Sequence, residues 1–182
     1  MMRHRGKCVF LSAFPVCTDL SLAGAVSWGA KREANPDCQT VAASRAKRCA
    51  EIAEEMGCDK YYIENPRGAL GKLWRRADFE FTPCEFGGYL PTDDTHPLYP
   101  KQIPGRDKYT KRTGVWHSSA FTKPEARPVE PIMGVYNRKG GGTRRYNVVF
   151  KHVGSKDGVR GKDIKSCTPR GWAAAVYAAN HI

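Results

Sequence analysis

The chain has no Cys-x-x-Cys pair, although it holds seven cysteines (Cys8, Cys17, Cys38, Cys49, Cys58, Cys84 and Cys167). An odd count with no repeated spacing argues against both a disulfide framework and a zinc ribbon, and fits a reducing, intracellular compartment. No apolar run approaches the length of a membrane span, so no membrane partner is expected. No internal repeat is visible. Acidic residues are scarce: 18 Asp and Glu stand against 30 Lys and Arg, a net charge of +12. Such an excess repels itself unless a polyanion screens it, which makes nucleic acid the first partner to consider. What is present suffices for a core. Hydrophobic residues make up 41% of 182, enough for one compact domain rather than two full ones.

The N-terminus imitates a secretory leader, with a basic start, an apolar stretch from Cys8 to Cys17 and Ala23-Gly24-Ala25 as a mock cleavage site. Ser12 and Pro15 interrupt that stretch and Asp19 follows it closely, so the expectation is a structural element instead. The run Cys8–Phe14 suits a short strand covered on both faces. A loop with Pro15, Gly24 and Gly29 follows. Asn35-Pro36 then reads as a helix start, with Asn as cap. Over residues 36–56, Val41, Ala42, Ala46, Cys49, Ala50, Ala53 and Met56 recur at three- and four-residue steps, and Gly57 is a natural stop. Tyr61-Tyr62-Ile63 reads as a second strand ended by Pro66. Strand, long helix and strand predict a βαβ unit with parallel strands.

Four regions result: a βαβ core over 1–66, an irregular insertion over 67–131 with short strands near Gly114–Ser118, a basic hairpin region over 132–166, and a C-terminal helix over 167–182. Thr168-Pro169 opens that helix, with Trp172, Ala173, Val176 and Tyr177 as its apolar face. Between Arg138 and Lys165 nine basic residues face two acids, a net of +7. They are interleaved with Tyr136, Tyr146, Phe150 and the Gly140-Gly141-Gly142 turn. A solvated basic face is one reading; a hairpin lying along a phosphate backbone is the other.

Two residues of the βαβ unit carry chemistry. Cys17 lies just past the first strand and Glu64 at the carboxyl end of the second, the edge at which open parallel sheets bind ligands. A thiol beside a carboxyl suits covalent catalysis, the thiolate as nucleophile and the acid on the electrophile. Cys17 as a small core residue, and Glu64 as a capping carboxylate or a partner of Arg67, are the structural alternatives.

Phe14-Pro15-Val16-Cys17-Thr18-Asp19-Leu20-Ser21 resembles the Pro-Cys-x-x-x-Ser nucleophile motif of DNA cytosine-C5 methyltransferases, and Ile63-Glu64-Asn65-Pro66 resembles their Glu-Asn-Val motif in its phage-type Glu-Asn-Pro form. Lys111-Arg112-Thr113-Gly114-Val115-Trp116 is similar to the later basic motif, and residues 167–180 to the C-terminal helix of phage-type homologues. Val16 stands where the family has proline, and Lys111 and Thr113 where it has an Arg-x-Arg pair.

The resemblance implies a truncated Rossmann-like methyltransferase sheet on which a flipped cytosine meets Cys17 and Glu64, with Asn65 shaping the pocket. It further implies that Ser21, Lys111 and Arg112 contact DNA. Arg138, Arg144, Arg145 and Lys151 would grip its backbone. The family's methyl donor is S-adenosylmethionine. Its Phe-x-Gly-x-Gly turn has no counterpart here, and the triple glycine opens no helix. Weak donor binding by this chain alone is therefore expected, with a second protein chain or another arrangement completing the site. Three functions stay open: such a methyltransferase, a methyltransferase-derived DNA-binding or regulatory protein without methyl transfer, and an unrelated basic RNA- or DNA-binding domain.

Overall fold

The computed structural model describes residues 8–137, 140–151 and 160–181. It is a mixed α/β structure in which the described residues form two compact units. The first runs to Phe81 and takes in Arg112–Thr122; the second comprises Thr82–Lys111 and Lys123–His181.

The first unit is built on a four-stranded sheet of β1 (Leu11–Ala13), β2 (Tyr61–Pro66), β3 (Phe79–Phe81) and β4 (Thr113–His117), in the order β1-β2-β4-β3. β1 and β2 pair in parallel, with Leu11 opposite Tyr61 and Ala13 opposite Ile63. β4 is antiparallel to both β2 and β3, so β1, β2 and β3 all run the same way. The strand expected near Gly114–Ser118 is β4. Its place beside β2 gives the nominally irregular insertion a share in the main sheet.

Between β1 and β2 the chain forms a 3₁₀ turn (Leu22–Ser27), α1 (Trp28–Ala34) and α2 (Cys38–Glu55). The expected loop before residue 35 is thus largely helical. The helix start is also corrected: Asn35 Oδ1 accepts from the Asp37 N–H at 3.1 Å, so an Asx turn precedes the helix and Asp37 occupies the cap position. At the other end the Cys58 N–H reaches the Ala53 carbonyl and the Gly57 N–H the Glu54 carbonyl, the paired closure of a Schellman motif.

Ala42, Ala43, Ala46, Ala50 and Ala53 are the buried residues of α2. Their small side chains bring the helix close to the sheet, where Ala42, Ala43, Ala46 and Ala50 pack with Leu20, Ile63, Leu70 and Trp116. Val41, expected on this face, is 43% exposed. The opposite face of β2 carries Tyr62, with the Phe121 ring at 5.5 Å, Phe10 at 5.9 Å and Phe14 edge-on at 6.0 Å. A four-residue α3 (Leu70–Leu73) follows β2.

The second unit holds 3₁₀ segments at Pro83–Tyr89, Gly105–Asp107 and Val148–Lys151, the hairpin β5 (Met133–Asn137) and β6 (Thr143–Asn147), and helices α4 (Gly161–Ser166) and α5 (Arg170–Asn180). Ile103, Tyr109, Val149 and Ile164 form one core cluster. Trp172, fully buried, meets Phe86 edge-on at 5.0 Å. The inward face of α5 is Trp172, Ala175, Val176 and Asn180, whereas Ala173 and Tyr177 are exposed. The buried stripe therefore keeps the helical period but sits one position earlier than the expected set, on Gly171, Trp172, Ala175 and Val176.

The hairpin expected around the triple glycine is present, with Gly140, Gly141 and Gly142 in its turn. Gly141 and Gly142 lie at φ of +89° and +79°. The candidate Arg138 falls outside the described residues, as does the Lys151 side chain.

Candidate active-site edge

Because β1, β2 and β3 are co-directional, their carboxyl ends share one edge of the sheet, and β4 begins there. Loops leaving that edge are where an open sheet of parallel strands gathers functional groups. The first holds Cys17. The Cys17 carbonyl accepts from the N–H groups of Leu20 (3.0 Å) and Ser21 (2.8 Å), which closes a tight turn two residues beyond Pro15. Lys31 pairs with Asp19 at 2.7 Å and also donates to the Thr18 carbonyl, while Gln39 donates to the Asp19 carbonyl. The turn is thus held from α1 and α2, and the Cys17 thiol at its head is half-buried.

The second loop follows Pro66. Its Ala69 N–H donates to the Leu20 carbonyl at 2.8 Å, and Leu22 returns a bond to the Arg67 carbonyl, forming an isolated antiparallel bridge between Ser21 and Gly68. A side chain at Gly68 would put its Cβ 1.8 Å from the Leu20 carbonyl oxygen, so only glycine allows this contact. The two loops are further joined by Asn65, whose Nδ2 donates to the Pro15 carbonyl at 3.1 Å. Asn65 is fully buried, and its Oδ1 has no hydrogen-bond partner among the described residues.

The expected trio is therefore distributed as follows. Cys17 and Asn65 belong to one hydrogen-bonded assembly. Glu64, 6% exposed, lies opposite Val115 in register, and strand alternation turns its side chain to the Tyr62 face, away from the Ile63 and Asn65 face.

The basic residues part company. Arg112 Nη2 pairs with Glu80 at 2.9 Å and Arg67 Nε lies 3.9 Å from the same carboxylate, placing two guanidinium groups at the sheet edge. Lys111 belongs to the second unit, where its Nζ donates to the Lys165 carbonyl at 2.7 Å. Ser21 Oγ accepts from the Ala23 N–H and caps the following 3₁₀ turn. Arg144 and Arg145 are exposed on β6.

Comparison with family models, with curated proteins and with solved structures finds no match.

Three groups escaped the sequence reading. Glu80 joins the edge only because β3 pairs with β4, which no local pattern signals. In the second unit Asp94 accepts from Arg170 at 2.6 Å and from the Arg106 N–H. Burial works against its charge, but these donors hold its carboxyl below the usual range. Asp107, 2% exposed, accepts the Gly171 N–H at the start of α5, and burial pushes its carboxyl up to about 6. Among the described residues no group of three or more His, Cys, Asp or Glu is placed to hold a metal ion. No described helix is long and apolar enough to cross a membrane.

Proposed function

We propose that this chain is a DNA cytosine-C5 methyltransferase-like protein that engages a flipped cytosine through Cys17 on a truncated Rossmann-like sheet. The observation carrying the reading is the Asn65–Pro15 bond. It ties the strand that ends in Glu64-Asn65-Pro66 to the loop that carries Cys17, bringing both candidate segments to one sheet edge, with Asn65 on the loop side of β2 and Glu64 on its other face. The exposed guanidinium groups of Arg67 and Arg112 at the same edge suit a phosphate backbone.

The chemistry follows from the groups. The Cys17 thiolate adds to ring carbon 6, forming a sulfur–carbon bond, while the Glu64 carboxyl delivers a proton to ring nitrogen 3 so that no ring charge accumulates. Carbon 5 is then an enamine carbon and takes a proton from water. The hydroxide left from that water takes the original carbon-5 proton, and nitrogen 3 returns its proton to the Glu64 carboxylate as the sulfur–carbon bond breaks and the thiolate leaves, which restores cytosine with one hydrogen exchanged and nothing oxidised or reduced.

S-adenosylmethionine is the donor this chemistry serves, supplying an electrophilic methyl group. The described residues do not fit it: the turn after β1 holds no glycine, and the triple glycine joins two strands rather than opening a helix. No step is therefore routed through it. That misfit favours a second reading, a DNA-binding or regulatory protein of methyltransferase descent.

Release of tritium from duplex DNA carrying 5-tritiated cytosine, measured without any methyl donor, decides between them. Exchange by the wild type that vanishes in Cys17→Ser and falls at least tenfold in Glu64→Gln supports the nucleophilic reading. DNA binding with no exchange overturns it and supports the second.

A further inference from the structure

The hairpin presents a surface that the edge chemistry leaves unused. In β5 and β6, Gly134 faces Tyr146 and Tyr136 faces Arg144. Alternation puts these four on one face, and Met133, Val135, Arg145 and Asn147 on the other. The Tyr146 ring crosses directly over Gly134, since a Cβ there would lie 2.2 Å from its Cζ. One face of the ring is thereby seated on the backbone. The Tyr136 ring lies beside it, at 6.0 Å between centroids and tilted by 46°. Tyr136 is 43% exposed and Val135, on the reverse face, 59%. An open hollow of about 750 Å³ borders these side chains.

Neither Arg144 nor Arg145 forms an ion pair among the described residues, and both are exposed. The sequence from 132 to 151 holds five basic residues and no acid. An exposed Tyr136 ring beside a half-buried Tyr146 ring, on a two-stranded ribbon that pairs with no further strand among the described residues, would be costly unless something lies on them. The charge selects a polyanion. The rings select among polyanions: a lone phosphate chain or sulfated sugar offers no π face, and a duplex buries its base faces in the stack and shows only edges. An unpaired strand supplies both phosphates for the arginines and free base faces for the rings.

We infer that the β5–β6 hairpin is a stacking platform for an unpaired nucleic-acid strand, with successive bases on Tyr136 and Tyr146 and a neighbouring phosphate on Arg144, while Arg145 adds positive charge from the reverse face. This element works independently of Cys17.

The test is anisotropy titration of the full chain with three labelled DNAs of equal length: a mixed-sequence single strand, the same strand made abasic, and the matching duplex. The base-bearing strand should bind tightest. Tyr136→Ala and Tyr146→Ala should each weaken it by about fivefold or more while leaving the abasic strand unchanged, and Tyr136→Phe and Tyr146→Phe should retain affinity. Arg144→Ala with Arg145→Ala should flatten the salt dependence for all three. Equal affinity for base-bearing and abasic strands overturns the proposal, as does tighter binding to duplex. These comparisons use the wild type, so a misfolded variant does not shield the proposal. Failure of the cysteine chemistry is read separately, as absence of carbon-5 tritium release, and leaves the single-strand, abasic and duplex comparison unchanged.

Discussion

Asn65 donates from its buried amide to the Pro15 carbonyl, and this one bond fastens the end of β2 to the loop bearing Cys17. Replacing Asn65 with Ala removes the donor and leaves a carbonyl without it, which costs about 1–3 kcal/mol. We expect a lower melting temperature in Asn65→Ala together with faster alkylation of Cys17, followed by peptide mass mapping. An unchanged alkylation rate at Cys17 would show that the loop is fixed without Asn65.

Gly68 and Gly71 make a matched pair. A methyl group at Gly68 meets the Leu20 carbonyl at 1.8 Å, whereas at Gly71, within α3, nothing lies within 4 Å. Gly68→Ala should force the Ser21–Gly68 bridge apart and lower the melting temperature by several degrees. Gly71→Ala should be neutral or stabilising by up to about 1 kcal/mol through helix propensity. Thermal melts of the two variants side by side check both.

Asp107 should give the second unit a specific pH dependence. Its carboxyl is raised by burial to about 6, against 3.8 as an ordinary aspartate. The folded state therefore holds the proton more tightly than the unfolded state, and stability falls as pH rises from about 4 to about 6. The loss, on the order of 3 kcal/mol, is complete above that window. Asp107→Asn keeps an oxygen for the Gly171 N–H but cannot ionise, so its stability should be flatter over the same window. Denaturant melts at pH 4, 5, 6 and 7 measure the difference.

Cys8 and Cys58 stand immediately before β1 and β2, with their sulfur atoms 2.8 Å apart. Burial, helped by the neighbouring Cys8 thiol, pushes Cys58 up to about 12. At neutral pH Cys58 should therefore alkylate far more slowly than Cys17. Excess oxidised glutathione should convert the two thiols into one Cys8–Cys58 disulfide, releasing two reduced glutathiones. Non-reducing peptide maps of the wild type and Cys8→Ser check the pairing.

The order of the βαβ unit was legible in the sequence because its signals are local. A short apolar run, alanines at helical spacing, Gly57 as terminator and a second apolar run each act through neighbouring residues, and parallel pairing of β1 with β2 follows from the helix between them. The hairpin was legible for the same reason: three glycines between two short strands admit little else. Helix boundaries were read less well. The Asn35 side chain serves an Asx turn rather than the cap, and spacing alone does not separate those two uses.

What tertiary structure alone decided lies further apart along the chain. β4 returns from residue 113 to pair with β2, and its partner β3 brings Glu80 between Arg67 and Arg112. The sequence marks Lys111 and Arg112 as one basic motif, yet the fold commits Lys111 to the Lys165 carbonyl and Arg112 to Glu80. The sequence by itself determined that a cysteine follows the first strand and a Glu-Asn-Pro run ends the second, since chain order and strand direction suffice for that. Which face each side chain takes, and that Asn65 rather than Glu64 makes the tie to Pro15, depended on sheet register, in which every residue's direction is set by a partner on another strand.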